Sequence, residues 1–312
     1  GPSPRQHLIT GRLLKELKAD VYHHPQYDLP IGVRVPAVIT IHDLKYIFHA
    51  EFLRDKSRLK RFYIKNILRR SLKVANHVIA VSESTLTDLR KILSFNLDKA
   101  SVIYHGMNAP ISIPEKSEFK SINSFDISKK FILFVGTRRP HKNIEGLIRA
   151  LAILRNEYNH DIDLVIAGKA YSDYNVPERY AQQIKAERHT HFIDFVPDNM
   201  LPEFYAKAEV VALISFYEGF GLPLLEAMAY GTPAIGSNVS SIPEVIGDAG
   251  LLVNPHDSGD VALKIHTILA DSKLKSKLIR NGSRRVKQFS WRRVAESTMD
   301  VYLKAGEANI SD

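Results

Sequence analysis

Cysteine is absent from the 312-residue chain, which excludes disulfides, thiol catalysis and cysteine-ligated zinc and fits a reducing compartment. No apolar run approaches the ~20 residues needed to cross a bilayer, so a transmembrane protein is not expected. The polar start Gly1-Pro2-Ser3-Pro4 carries no secretory signal, and a cytoplasmic location is expected. Internal repeats and low-complexity tracts are also lacking. The 13 histidines show no metal-ligand spacing, and no Ser-His-Asp set is readable. What remains is 45% apolar and 25% charged, the balance of a folded globular protein, and the length suits two domains.

Acidic residues are scarce in one region. Residues 1–110 hold 18 Lys and Arg against 9 Asp and Glu, which accounts for the whole net charge of +9. Within them, 52–74 carries Arg54, Lys56, Arg58, Lys60, Arg61, Lys65, Arg69, Arg70 and Lys73 against Asp55 alone. Phe52, Leu53, Leu59, Phe62, Tyr63, Ile67, Leu68 and Leu72 are interspersed among them. A basic amphipathic helix is expected there, with an anionic membrane surface as the candidate partner. No nucleic-acid-binding module is recognisable.

Short apolar runs alternate with longer amphipathic ones. Strands are expected at 35–41, 77–81 and 100–104, with helices at 52–74 and 84–93, the latter capped by Ser82 or Ser84. Residues 109–128, with Pro110, Pro114 and many Ser, Asn and Lys, read as a linker. Strands at 131–135, 164–167, 191–196, 210–214, 232–235 and 250–253 then alternate with helices. Helices 258–270, 272–288 and 290–305 close the chain. The order implies two α/β units with parallel sheets.

The most informative stretch is Ser215-Phe-Tyr-Glu218-Gly-Phe-Gly221-Leu-Pro223-Leu-Leu-Glu226-Ala-Met-Ala-Tyr-Gly231. A strand ends, a glycine-bearing loop turns into a helix with Pro223 near its start, and Gly231 suits the left-handed stop. The backbone N–H groups of Phe220, Gly221 and Leu222 then form a positive helix end suited to phosphate or sugar hydroxyls. Carboxylates there repel phosphates but accept from vicinal hydroxyls. Gly136-Thr-Arg138-Arg139-Pro-His-Lys142 follows a strand and gathers cations at a second helix start, a natural diphosphate site. Gly168-Lys169 follows another strand, and His42-Asp43 a third. Asp161-Ile-Asp163 has the spacing of a metal motif but directly precedes a buried strand and reads as a polar strand entry. No metal site is expected.

The stretch from Glu218 to Glu226 resembles the Glu-x7-Glu region of the retaining glycosyltransferases of family 4. The resemblance implies a GT-B fold: two Rossmann-like domains facing a cleft, with the C-terminal helix crossing back to the first. The expected division is 1–108 for the acceptor-side domain, 109–128 for the linker, 129–289 for the nucleotide-sugar domain and 290–312 for the crossing helix and tail. In that family the second Glu holds the ribose of the nucleotide and the first holds the donor sugar, roles carried here to Glu226 and Glu218. The loop at Gly136 is similar to the family's Gly-Arg-x(n)-Lys loop, whose cations neutralise the departing diphosphate. Lys142 matches; Thr137 stands where the family has Arg, so Arg138 or Arg139 substitutes, with Arg139 favoured. Gly168 and Lys169 would lie along the diphosphate, main-chain atoms at Val196 would pair with the base, and Leu201 would flank it. His42-Asp43 resembles the family's His-Asp pair, with His42 at the donor sugar and positioning the acceptor. Ser82-Glu83-Ser84 and the hinge-like His105-Gly106-Met107-Asn108 also resemble family segments.

Family members normally begin with a further strand and glycine-rich loop ahead of the segment resembling Asp20–His24, so a shortened first domain is expected. The function implied is metal-independent, retaining transfer of a sugar from a nucleotide-diphosphate sugar to a glycan or lipid-linked acceptor in bacterial polysaccharide synthesis. A UDP-sugar is favoured over a GDP-sugar, with no cofactor besides this substrate. Two other functions fit the same motifs: a nucleotide-sugar epimerase and a non-catalytic nucleotide-sugar-binding subunit.

Overall fold

Unbroken apolar runs form strands that are covered on both faces, as a parallel sheet requires. The computed structural model describes residues 4–48, 58–93, 97–108, 110, 121–122, 125–171 and 174–307. They fall into two units, Gly1–Gly106 with Trp291–Asp312, and Met107–Ser290.

In the first unit, helix α1 (Pro4–Glu16) precedes β1 (Tyr22–His24) and β2 (Ala37–Ile41). Helices α2 (Lys45–Phe48) and α3 (Arg58–Val74), strand β3 (His77–Ala80), helix α4 (Glu83–Leu93) and β4 (Ala100–Val102) follow. The sheet runs β1-β2-β3-β4 and every pairing is parallel. Leu68 and Leu72 of α3 pack with Leu89 of α4 on Ile39, Ile41, Val78 and Ala80, forming one side of the core. The basic helix expected over 52–74 is seen from Arg58 onward; 52–57 lies outside the described residues. Ser82, not Ser84, caps α4: its Oγ accepts from the Thr85 N–H at 3.1 Å.

The second unit opens with a two-stranded antiparallel piece, β5 (Ser121–Ile122) and β6 (Phe125–Asp126). Both strands fall within the stretch expected as a linker. Residues 109 and 111–120 lie outside the described residues, but Phe125 and Ile127 are buried, and Phe125 meets the Phe131 ring edge-on. Polar composition around them hid two apolar anchors.

Then come β7 (Phe131–Val135), α5 (Ile144–Asn156), β8 (Asp163–Ala167), α6 (Val176–Gln183), β9 (Thr190–Ile193) and α7 (Leu201–Lys207). Strand β10 (Val210–Leu213), α8 (Leu222–Ala229), β11 (Ala234–Ser237), α9 (Ile242–Ile246) and β12 (Gly250–Val253) complete the sheet, before α10 (Ser258–Ala270) and α11 (Ser272–Val286). The six strands run β12-β11-β10-β7-β8-β9, all parallel. Strand β9 stops at Ile193, short of the expected 196, so Asp194, Phe195 and Val196 belong to the following loop.

The last helix, α12 (Trp291–Glu307), belongs to the first unit. Its Val301 and Ala305 are buried against Val38, Ile79 and Ile103, and the Tyr302 hydroxyl is 2.7 Å from His23 Nδ1. At the chain's return, the Met107 N–H donates to the Phe289 carbonyl at 2.9 Å.

Asp163 opens β8, at the strand end remote from the loops that follow the strands. His189 Nδ1 and His191 Nε2 approach its two carboxylate oxygens at 2.9 and 3.0 Å. Both oxygens of Asp163 are thereby engaged, and among the described residues no group of three or more His, Cys, Asp or Glu is arranged to hold a metal ion. Burial alone would raise the Asp163 carboxyl, but the two histidine bonds hold it below its usual range. A depressed folded-state pKa contributes stability above the unfolded value, ~3.9, that is lost as pH falls through the folded one. Asp163→Asn is therefore expected to cost about 1–3 kcal/mol at pH 7 and less at pH 3. Urea unfolding at the two pH values measures the difference.

Candidate functional site

All strands of a parallel sheet deliver their carboxyl ends to one edge, and a crevice opens where the strand order reverses. In the second unit that reversal lies between β7 and β10, which are neighbours although α5, β8, α6, β9 and α7 lie between them in the chain. The loops leaving these two strands carry the candidate residues.

The loop after β7 makes a 3₁₀ turn at Pro140–Lys142 and ends at Asn143, a left-handed residue that caps α5. Asn143 Nδ2 donates to the Ile214 and Pro255 carbonyls at 3.2 and 2.6 Å, and the Phe216 N–H donates to the His141 carbonyl at 2.8 Å. The β7 and β10 loops are thus tied by main-chain and side-chain bonds before any charge is considered. On that frame Lys142 Nζ meets Glu218 Oε1 at 2.6 Å, and Ser215 Oγ donates to the same oxygen at 2.6 Å. The two side chains retain 18% and 12% of their exposure, so the pair is nearly enclosed.

Residues 218–221 are held from a third loop. The Glu218 N–H donates to Ser240 Oγ at 2.8 Å, and Ser241 Oγ donates to the Glu218 and Phe220 carbonyls at 3.0 and 2.9 Å. Gly221 takes φ +117° at the N-cap of α8, and a Cβ there would come within 2.8 Å of Ile242. Leu222 and Pro223 open the helix and Gly231, φ +73°, follows its end, where the Thr232 N–H closes back on the Ala227 carbonyl at 2.9 Å. Glu226, half-buried one turn into α8, accepts from the hydroxyl of Tyr205 on α7.

Arg138, one of the two arginines offered for the diphosphate, turns its side chain into the protein. Its side chain is buried, with Nη1 donating to the Gly168 carbonyl and Nη2 to Asp194, each at 2.6 Å. Nε lies 3.1 Å from Glu178, and the guanidinium sits over the Phe192 ring. It clamps the ends of β7, β8 and β9 together. Arg139 instead stacks its guanidinium 3.7 Å from the Tyr171 ring centroid and is the remaining arginine of the loop. Gly136 (φ +148°) and Gly168 (φ +142°) bring the β7 and β8 loops so close that a Cβ on Gly168 would sit 2.2 Å from the Gly136 carbonyl oxygen. Lys169 is exposed, while Val196 and Leu201 are half-buried in the loop and first turn after β9.

In the first unit, His42 leaves the carboxyl end of β2, with Nε2 3.1 Å from the Pro25 carbonyl and its ring stacked on His105 at 5.4 Å. Burial, reinforced by the neighbouring His42, pushes His105 down to about 4, so it is neutral at neutral pH. Asp43 pairs with Lys45 Nζ at 2.8 Å and accepts from the Lys45 N–H at 3.3 Å, which makes it a support for α2.

Sequence reasoning missed Tyr205, Ser215, Ser240 and Ser241. Tyr205 reads as an ordinary apolar helix position, and Ser240 falls in a glycosylation sequon. The usable signal was a Ser-Ser pair directly ahead of Ile242-Pro243, at a helix start beside the glycine loop.

Residues 115–285 match the family model for glycosyl transferases group 1, and residues 2–109 match that for glycosyltransferase family 4. The chain belongs to this glycosyltransferase family. O-antigen chain mannosyltransferase B of Escherichia coli is 31% identical to it over 93% of this chain and 75% of its own length. O-antigen chain mannosyltransferase RfbU of Salmonella typhimurium is 29% identical over 70% and 57%. D-inositol 3-phosphate glycosyltransferase of Corynebacterium glutamicum is 28% identical over 87% and 67%. The chain thus spans 57–75% of the length of these curated relatives. Among solved structures, sucrose-phosphate synthase from Thermosynechococcus elongatus superposes with a TM-score of 0.78 at 22% identity, covering 98% of this chain and 78% of that one. WaaG, a glycosyltransferase involved in lipopolysaccharide biosynthesis, gives 0.75 at 18%, covering 96% and 84%. At these identities the likeness is one of fold, the GT-B arrangement of two Rossmann-like domains.

The glycosyltransferase's two loop arginines separate by experiment. Arg138→Ala is expected to cost about 2 kcal/mol of stability, because it orphans the partly buried Glu178 and the Gly168 carbonyl. Arg139→Ala should leave the melting temperature within a degree or two. Gly168→Ala should lower it by several degrees, since the added methyl meets backbone. Thermal unfolding of the three variants decides.

Proposed function

We propose that the chain transfers a glycosyl residue with retention, and without a metal ion, from a nucleotide-diphosphate sugar to a glycan or lipid-linked acceptor of a bacterial polysaccharide. The observation that carries this reading is the Lys142–Glu218 pair at the strand-order reversal, with Glu226 one helical turn beyond. A diphosphate is the natural replacement partner for the lysine, and sugar hydroxyls for the glutamate. Glu226 then holds the ribose diol, Lys142 and Arg139 the diphosphate, and Glu218 the donor sugar. The main chain at Val196 and the side chain of Leu201 meet the base. Gly136 and Gly168 allow the close approach to the diphosphate, beside the amides of Phe220, Gly221 and Leu222. The O-antigen mannosyltransferase relatives support polysaccharide synthesis as the setting and mannose as the sugar to try first. For the base, uridine is proposed ahead of guanosine.

In the reaction the bond from the anomeric carbon to the diphosphate oxygen breaks and its electron pair stays on the diphosphate. The acceptor oxygen forms the new bond on the same face and passes its proton to the departing diphosphate oxygen. Fixed cations at the departing charge lower the barrier without reorganising during the step. Lys142→Ala is expected to reduce kcat about 100-fold, whereas Glu226→Ala should mainly raise KM for the donor. A panel of UDP-, GDP- and ADP-sugars with a lipid-linked acceptor, assayed for nucleotide release with and without EDTA, tests the reading. Turnover that needs added metal, or an unchanged rate in Lys142→Ala, would sink it. Conversion of the donor sugar without acceptor would point to an epimerase.

The proposed location is the inner face of the cell membrane. Among the described residues no helix is long and apolar enough to cross a membrane. On the outer face of α3, however, Leu59, Phe62 and Tyr63 are 81%, 67% and 63% exposed, and Arg69 and Lys73 are exposed further along the same helix. Apolar side chains beside cations suit an anionic bilayer. Cosedimentation with phosphatidylglycerol vesicles but not phosphatidylcholine vesicles is expected, and is expected to fall sharply in Phe62→Ser/Tyr63→Ser.

A further inference from the structure

Glu226 has a neighbour that the motif does not contain. Tyr205 is buried on α7, 1% exposed, and its hydroxyl donates to Glu226 Oε2. The residue is fixed at both ring and backbone. It stacks on Tyr230 with centroids 5.8 Å apart and planes 8° off parallel, and its own carbonyl accepts from the Thr232 hydroxyl. Tyr230 and Thr232 flank Gly231, so the turn that ends α8 also buttresses the phenol that reaches the carboxylate near the helix start.

A glutamate side chain has three rotatable bonds, and a carboxylate offers about four acceptor positions on two oxygens. Left alone on a half-exposed helix face, Glu226 would sample several rotamers, and ordering it would oppose ligand binding. A single donor held by packing removes that freedom and leaves the other acceptor positions for a ligand. The Tyr205 hydroxyl is suited to this. Burial, then the adjacent Glu226 charge, holds its pKa well above the ordinary phenol value, so it remains a donor throughout the working pH range.

We propose that Tyr205 is a positioning residue: by fixing one oxygen of Glu226 it aims the carboxylate at a vicinal diol and sets the preference for a ribonucleotide over its 2′-deoxy form. The proposal rests on the reading of Glu226 as the ribose ligand. It assigns Tyr205 no contact with the nucleotide itself, and so predicts an effect expressed only through Glu226. Ordinary loss of packing would instead weaken all nucleotides alike and lower thermal stability.

The test is calorimetric binding of UDP, GDP and their 2′-deoxy counterparts to the full chain and to Glu226→Gln, Tyr205→Phe and Tyr205→Leu, with melting temperatures recorded alongside. The unmodified chain is expected to bind the ribo form at least tenfold tighter than the deoxy form, and Glu226→Gln to abolish that ratio. Tyr205→Phe keeps the ring and its stacking. It is expected to weaken the ribo form about five- to tenfold and the deoxy form less than twofold, with little change in melting temperature. Tyr205→Leu, which also removes the stacking, should weaken both forms and lower the melting temperature. If Tyr205→Phe retains the full ratio while Glu226→Gln loses it, the positioning role is overturned and the ribose reading stands. If the unmodified chain shows no ratio, or Glu226→Gln keeps it, the ribose reading fails and takes this proposal with it.

Discussion

The ion pair between Lys142 and Glu218 is the contact that the loops at the second unit's strand-order reversal are arranged to hold. It spans the place where the strand order reverses, and so joins two loops whose strands run side by side but belong to opposite halves of the sheet. A pair this enclosed contributes little net stability, because desolvation offsets most of the attraction. Breaking it is another matter, since either partner alone would be a stranded charge. The pair is therefore better understood as a placeholder than as a brace. Mechanical bracing comes from neutral groups: the Asn143 amide, the Ser215 and Ser241 hydroxyls and the His141–Phe216 main-chain bond. With the loops held by these, the ammonium and carboxylate can exchange each other for ligand atoms while the backbone stays in place.

On the other half of the sheet the constraint is distance between backbones rather than charge. Gly136 and Gly168 adopt positive φ and approach to within what a methyl group would forbid. Arg138 then fixes that approach with bonds to the Gly168 carbonyl and Asp194. One buried guanidinium does what three short loops could not do separately, since its planar fork reaches several acceptors at once. The neighbouring Arg139, one residue on, faces the Tyr171 ring. Adjacent residues leaving a strand point to opposite sides, so one arginine of the pair goes inward and the other does not.

That alternation explains what the sequence could and could not disclose. The strands were legible because buried parallel strands are unbroken apolar runs; Phe131–Val135 needed no more than its own residues. The Glu218–Glu226 loop was legible because glycine and proline at fixed offsets specify a turn and a helix start. The burial of Arg138 was not, because it depends on Asp194, Glu178 and Gly168, which lie 30 to 56 residues away in sequence. Phe125 and Ile127 were lost in a polar stretch whose composition spoke for a linker. Tyr205 was lost for the opposite reason: a tyrosine among apolar helix residues looks like core, and it is core, except for one oxygen.

That oxygen separates the two glutamates. Glu218 rests against a cation and a hydroxyl, so its partner is one that an incoming phosphate can compete for. Glu226 rests against a buried phenol that no ligand can displace without disturbing the stack on Tyr230 and the turn at Gly231. The first carboxylate is set up to exchange partners, the second to keep one. The function proposed, in which a diphosphate leaves after each turnover while the nucleoside is held in the same place each time, calls for that division: exchangeable electrostatics where charge departs, and a packed neutral donor where only orientation matters.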